Sequence, residues 1–419
     1  MTAQHTPTPP GPVLLRAGRI ITRPDQPPVE LGAVLIDGDR IVAVGPTTEF
    51  EGAAGGATVM DIPAATVMPG LINVHVHLSF DVTTDPRPAL EAGDLATLEH
   101  TVRSNARALL DGGVTTARDL GDRDGLVASY RAQVQAGQLL GPTMLTARSP
   151  LTAPKGHCWF LGGEIDLNGT AVENRRTVDA AVARHLAGGA DVIKVMTSGG
   201  MMTPAGAPMW QSQFSEQDLA LIVASAREHG LPVAGHAHGA DAMAACAKAG
   251  VNTIEHGGWL APPDADGAMG YAPSEEIAEI IARTGIAVVP TRAREWETWP
   301  PEARLDLQLA KLAWNDQHGI RLVAGNDAGV GQGYFDTLVD TVTQFHAAGW
   351  THARALATAT TEAAHALGLG AQIGQLTPGY RADLLVLGSN PLEDLHALAD
   401  IQHVITGGRV HTPGAPSHN

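Results

Sequence analysis

Between about residue 69 and residue 369 the chain alternates short apolar runs with longer amphipathic ones. The apolar runs fall at 71–78, 114–119, 143–148, 191–197, 232–238, 251–256, 286–291 and 320–327. Helical patterns lie between most of them, at 95–111, 171–188, 215–229, 240–249, 274–284 and 302–318. A strand that is repeatedly followed by a helix builds a parallel sheet with the helices laid over it. Eight such units predict an α/β fold of the (β/α)8 TIM-barrel type, with its chemistry at the C-terminal ends of the strands. An open doubly wound sheet is the alternative, but it usually carries a Gly-rich phosphate turn after its first strand. No G-x-G-x-x-G occurs there.

The two ends of the chain read differently. Val13–Leu15, Gly18–Ile21, Ala33–Ile36 and Arg40–Val44 are short strand-like runs separated by Gly, Pro and Asp, with Asp37-Gly38-Asp39 as a hairpin turn. Ala382–Leu387 and Ile401–Val410 return to that style. Residues 13–68 together with 370–413 are therefore expected to form one small discontinuous β-sandwich domain beside the 69–369 barrel. Residues 1–12 and 414–419 are expected to be tails. The Pro- and Thr-rich start has neither the basic residues nor the apolar stretch of a signal peptide, and no run approaches the ~18 apolar residues of a membrane helix.

Composition narrows the function classes. With 419 residues and 44% hydrophobic content the chain can bury a large core. A net charge of −17 argues against nucleic acid and anionic membranes as partners. Two cysteines, Cys158 and Cys246, are too few for a disulfide framework and suit a reducing, cytoplasmic setting.

The candidate chemistry begins on the first barrel strand, where His75 and His77 stand two residues apart. Side chains at i and i+2 share one face of a strand, so two imidazoles there can grip one cation. Core histidines satisfied by hydrogen bonds are the other explanation. Four more candidate ligands fall on or close the fourth, fifth, sixth and eighth strands: Lys194, His236, His256 and Asp327. Satisfied core histidines do not explain six such residues at one end of a barrel. For Lys194 the alternative is an ion pair, with Asp191 as a nearby candidate, and for Asp327 it is a helix cap. His238 shares a face with His236, and spacing does not say which of the two is a ligand.

These residues, with Asp37-Gly38-Asp39-Arg40-Ile41, Pro69-Gly70-Leu71-Ile72 and Gly379-Tyr380-Arg381-Ala382-Asp383-Leu384, resemble the amidohydrolase superfamily over almost the whole chain. The resemblance is to its imidazolonepropionase-like branch, which includes metal-dependent dipeptidases and carboxypeptidases (prolidase-like) and ochratoxin-hydrolysing amidases. Asn73 stands where the family usually has Asp, and Asn326 where it usually has Thr. The resemblance implies a first metal on His75, His77 and Asp327 and a second on His236 and His256. It also implies that Lys194 bridges the two as a carbamate formed with carbon dioxide. Burial between Ile193 and Val195 would favour the neutral amine that this reaction needs. Zinc suits the donors, as do cobalt, manganese and nickel. The family's chemistry is attack by a metal-bridging hydroxide, with Asp327 moving the proton, His157 helping the oxyanion and His238 contacting substrate.

The loops at the same end carry Trp159, Trp210, Trp259, Trp296 and Trp299, which could wall an apolar pocket, and Arg292 and Arg294, which could bind a carboxylate. The expectation is a binuclear metal-dependent hydrolase that cleaves an amide or peptide bond in a small molecule, such as a dipeptide or N-acyl amino acid with a bulky apolar group. The same site acting on a carbamate, lactone or cyclic imide is the alternative. A mononuclear deaminase and a non-enzymatic assembly protein are more distant ones. A homo-oligomer is compatible with all of them.

Overall fold

A computed structural model describes residues 11–51, 55–203, 206–267, 269–291, 301–331 and 333–414, with 301–306 described by their backbone. Four strands open the chain: β1 (Val13–Ile20), β2 (Val29–Asp37), β3 (Arg40–Pro46) and β4 (Thr58–Pro69). Nine follow in the middle: β5 (Leu71–Val76), β6 (Val114–Asp119), β7 (Thr143–Thr146), β8 (Ile193–Met196), β9 (Val233–Gly239), β10 (Thr253–Ala261), β11 (Gly270–Tyr271), β12 (Ala287–Val289) and β13 (Arg321–Leu322). Three close it: β14 (Leu384–Leu387), β15 (Ile401–Thr406) and β16 (Arg409–His411).

Strands from both chain ends share one seven-stranded sheet in the order β16-β15-β14-β4-β1-β2-β3. Alternation sorts its two faces: Leu15, Val34, Ile36, Val67, Leu384 and Val386 meet in one core, while Leu14, Ala33 and Phe50 meet in another. The sequence suggests two short runs at Val13–Leu15 and Gly18–Ile21, but the structure has one strand, β1, running through Gly18. A Cβ at Gly18 would lie 2.4 Å from the Pro63 carbonyl oxygen of β4, so the close pairing there needs glycine. β4 itself escapes the sequence reading because its first half is largely exposed and carries no apolar run.

The middle strands form two parallel arcs, β5-β6-β7 and β8-β9-β10-β12-β13, with β11 folding back on β10. Backbone hydrogen bonds span both gaps between the arcs. At one, Leu151 N–H donates to Lys194 O and Met196 N–H to Leu151 O, each at 2.8 Å. At the other, His77 N–H donates to Ala328 O at 2.8 Å and Asp327 N–H to His75 O at 3.1 Å.

Helices follow the strands at the expected places, and their starts have local causes. Leu95–Asp111 begins where the Asp94 side chain accepts from Thr97 N–H. Ala171–Ala187 and Glu216–Glu228 begin at reciprocal capping boxes, Thr170 with Glu173 and Ser215 with Asp218. Among the described residues no helix is long and apolar enough to cross a membrane.

Candidate metal centre

β5 delivers His75 and, one residue past its end, His77. Asp327, partly buried, arrives from the segment after β13 and completes a triad with the two buried histidines, whose donor atoms all lie within 4.8 Å of one another. His236, His238 and His256, from β9 and β10, form a second triad within the same limit. The two are adjacent: the His75 and His256 rings are 5.3 Å apart. Lys194 on β8 and His157 after β7 line the same cavity, of about 80 Å³. The structure thus brings together every sequence-proposed metal ligand, with His157 and His238 beside them. His256 and Asp327 hold their backbones in the left-handed region, at φ 69° and 55°, where strain commonly marks functional positions.

The first triad is fixed from behind. His75 Nδ1 is 2.8 Å from Glu255 Oε2, and His77 Nδ1 is 3.1 Å from the Gly121 carbonyl. Both partners are acceptors, so each Nδ1 carries the ring hydrogen and each Nε2 presents a lone pair. Asp327 Oδ1 sits 3.2 Å from both Nε2 atoms and has no hydrogen-bond donor among the described residues. Three buried lone-pair donors converging without a hydrogen between them call for a positive charge, so this donor set fits a divalent cation. The electrostatics agree. Burial would lower His77, but Asp327 holds it above its usual value. Burial would raise Asp327, but His75 and His77 hold it far below the ordinary carboxylate range.

Glu255 and Arg118 are absent from the sequence reading. Arg118 Nη2 donates to Glu255 Oε1 at 2.8 Å and its Nε donates to the Val74 carbonyl at 2.8 Å. Burial would raise Glu255, yet Arg118 and His75 bring it down to about 2, so it meets His75 as a carboxylate. A charged residue in the apolar run Thr253-Ile254-Glu255-His256 is the signal that was available. Asn73 and Asn326, the two departures from the family pattern, turn out to be partners: Asn73 Nδ2 donates to Asn326 Oδ1 at 2.7 Å.

The second triad is held in another way. Burial drives His236 and His256 well below their usual values, and His238 down to about 4, so all three rings are neutral donors. His236 Nε2 approaches the Gly199 carbonyl at 3.3 Å and His256 Nδ1 the Thr291 hydroxyl at 2.5 Å. That leaves His236 Nδ1 and His256 Nε2 for the cavity. The described residues include no hydrogen-bond partner for the His238 ring.

Burial also lowers Lys194, against the raising pull of Glu255 and Asp327. Asp191, the ion-pair candidate, instead pairs with Arg131 and accepts from Thr146 N–H at 2.9 Å. Burial takes His157 down to about 3, and its Nδ1 is 2.9 Å from Thr203 Oγ1. That hydroxyl accepts from Gly200 N–H at 3.3 Å; if it gives its own hydrogen to His157 Nδ1, Nε2–H becomes a donor. Cys158 lines the cavity as a thiol that burial pushes up to about 12.

The tryptophan reading needs correction. Trp259 is fully buried, with Nε1 donating to Asn315 at 3.1 Å and its ring against Trp314. Trp159 is 38% exposed, and neither it nor Trp210 lines a cavity at the centre. Loop position gave no measure of how these rings pack. Trp296, Trp299, Arg292 and Arg294 lie outside the described residues. The wall that the structure does show is built from methionine: Met201 and Met209 line both the metal cavity and a neighbouring one of about 360 Å³.

Two histidine-rich triads facing one cavity make this the candidate metal-binding site of the fold. The chain belongs to the amidohydrolase family, which it matches over residues 66–411, and residues 32–57 match a bacterial imidazolonepropionase-like composite domain. It is a hydrolase acting on C–N bonds. Ochratoxinase from Aspergillus niger is 28% identical over 90% of this chain and 82% of its own length. Among solved structures, a putative prolidase from Bifidobacterium longum superposes with a TM-score of 0.77 at 27% identity, covering 97% of this chain and 96% of the other. A prolidase complexed with N-methylphosphonate-L-proline gives 0.77 at 26% identity, covering 96% of this chain and 100% of the other.

Proposed function

We propose that this protein is a binuclear metal-dependent hydrolase that cleaves an amide or peptide bond in a small molecule with a bulky apolar group. The observation that carries this reading is the pair of triads, one bearing a carboxylate and one all imidazole, facing a shared cavity with Lys194 in its wall. The two parallel arcs are read as a single closed (β/α)8 barrel, because Arg118 and His75 of one arc reach Glu255 of the other through a buried interior. The end sheet, whose strands share one core, is read as the sandwich expected for 13–68 with 370–413.

In this reading His75, His77 and Asp327 would hold one divalent ion and His236 and His256 the other. Lys194, whose ammonium form burial disfavours, would supply a shared anionic ligand as a carbamate. Bound zinc, or cobalt, manganese or nickel in its place, would supply a nucleophilic hydroxide near neutral pH and polarise the scissile carbonyl. The chain does the rest. Asp327 takes up a proton and passes it to the leaving nitrogen. His157, neutral and buried, donates from Nε2 to the developing oxyanion. His238 lines both cavities and contacts the substrate between them. The likeness to a prolidase with a proline phosphonate bound supports a peptide-like substrate. The buried free thiols Cys158 and Cys246 suit the cytoplasm.

A hydrolysis screen of dipeptides and N-acyl amino acids, run with added zinc, cobalt or manganese, tests this reading. Release of free amine from members with a large apolar side chain is expected. A protein that binds metal yet hydrolyses nothing in the panel would contradict it.

A further inference from the structure

The larger cavity contains a residue that its apolar walls do not explain. Lys311, on the helix Pro301–Gln317, is the one lysine or arginine among its described lining residues, beside Leu260, Met269 and Leu312. No carboxylate among the described residues forms an ion pair with it; its partner is the Tyr271 ring, 5.3 Å from Nζ. An ammonium buried beside apolar groups without an anion is costly, and burial pulls Lys311 down to about 8.

Two further polar residues, Tyr271 and Asn315, line the same chamber. The Tyr271 hydroxyl is buried without a hydrogen-bond partner among the described residues. Asn315 spends its Oδ1 on Trp259, which leaves its NH₂ group to donate. A cation with an unmatched hydroxyl and an amide beside it in one apolar chamber is complementary to an anion with two acceptor oxygens. His238 and His256 line both this chamber and the metal cavity, so one small molecule can span them.

We infer that Lys311, with Tyr271 and Asn315, binds the free carboxylate of the substrate's leaving half, so that the enzyme selects apolar amino acids acylated on nitrogen and unblocked at the carboxyl. This rests on the amide-hydrolase reading above. It moves the carboxylate contact from Arg292 and Arg294, where the sequence suggests it, to the helix that follows them.

The test separates the inference from that reading by measuring binding and turnover apart. Calorimetry on the metal-loaded enzyme compares 3-phenylpropanoate with 3-phenylpropanamide. The carboxylate is expected to bind about tenfold more tightly or better. Lys311→Met, which keeps the chain length, brings that ratio near one; a carboxylate held only by the metals would keep it. Lys311→Arg retains most of the preference. Tyr271→Phe, a smaller change, narrows the ratio about threefold. A ratio that survives Lys311→Met, or a wild-type protein that does not distinguish the two probes, overturns the inference. Turnover of N-acetyl-L-phenylalanine against its C-terminal amide is then measured on the same proteins. A binding preference that follows Lys311 without hydrolysis of either compound leaves the anion site standing and removes the substrate reading. Hydrolysis of both at a ratio indifferent to Lys311 does the reverse.

Discussion

The two triads are built from similar residues but solve the problem of burial in opposite ways. The first places an ionised Asp327 against two imidazoles and backs one of them with a second carboxylate, Glu255, itself held by Arg118. It is a negative pocket whose rings are turned in advance to present Nε2. The second consists of three desolvated, neutral rings against backbone and hydroxyl oxygens. It brings no charge of its own, and in the proposed reading Lys194, in the wall of the same cavity, would supply an anionic ligand through carbon dioxide. The contrast implies an order of strength: the first triad should hold its ion without help, and the second should depend on the lysine.

The sharpest way to break this contrast is at Asp327, the carboxylate of the first triad. Asp327→Asn is expected to cut turnover by about 10²–10⁴ with little change in melting temperature. Near-normal turnover would remove the proton-transfer role. Next is Lys194→Ala, which should lose at least one metal equivalent by elemental analysis, with the remaining ion on the first triad. Two retained ions would contradict the carbamate. Glu255→Gln should weaken the first site about 10–100-fold in a metal titration and spare the second. Equal weakening of both would show that the triads are not independently supported.

Charge beside the first triad also has a stability consequence. Burial, then repulsion from Asp119, raises Asp122 to about 8. The folded protein therefore keeps a proton that the unfolded chain releases near its ordinary carboxylate value. This contribution to stability is fully present below that ordinary value and is lost as pH climbs through about 8. Asp122→Asn should remove the slope, and its advantage over wild type by denaturant midpoint should grow as pH rises toward 8. A gain that does not grow with pH would show Asp122 to be ionised in the fold. The smallest effect is expected at Trp159, which is partly exposed and lines neither cavity: Trp159→Ala should leave KM within about twofold, the ordinary result for a side chain that makes no contact with ligand. A large rise in KM would return the ring to the substrate pocket.

Much of this architecture is written locally in the chain. The strand-helix alternation and the caps depend on neighbours a few residues apart, so the helix 95–111 appears as Leu95–Asp111. The ligand positions are legible for a similar reason: five stand on or one residue past a parallel strand and Asp327 follows another, and paired parallel strands bring such positions to one edge. The support of those ligands is not local. Arg118 and Glu255 are 137 residues apart in sequence, and Asn73 and Asn326 are 253 apart. Substrate contacts are less legible still. A loop tryptophan becomes core, as Trp259 does, or surface, as Trp159 does, according to what packs over it. Lys311 reads as one more helical lysine until the chamber around it is formed.

The most direct measurement is the metal content of the purified protein after zinc loading and removal of loose ions. The account predicts two ions per chain, falling to one when His236 and His256 are both replaced by alanine. A protein that retains no divalent metal, or that keeps both ions after the second triad is removed, would contradict it.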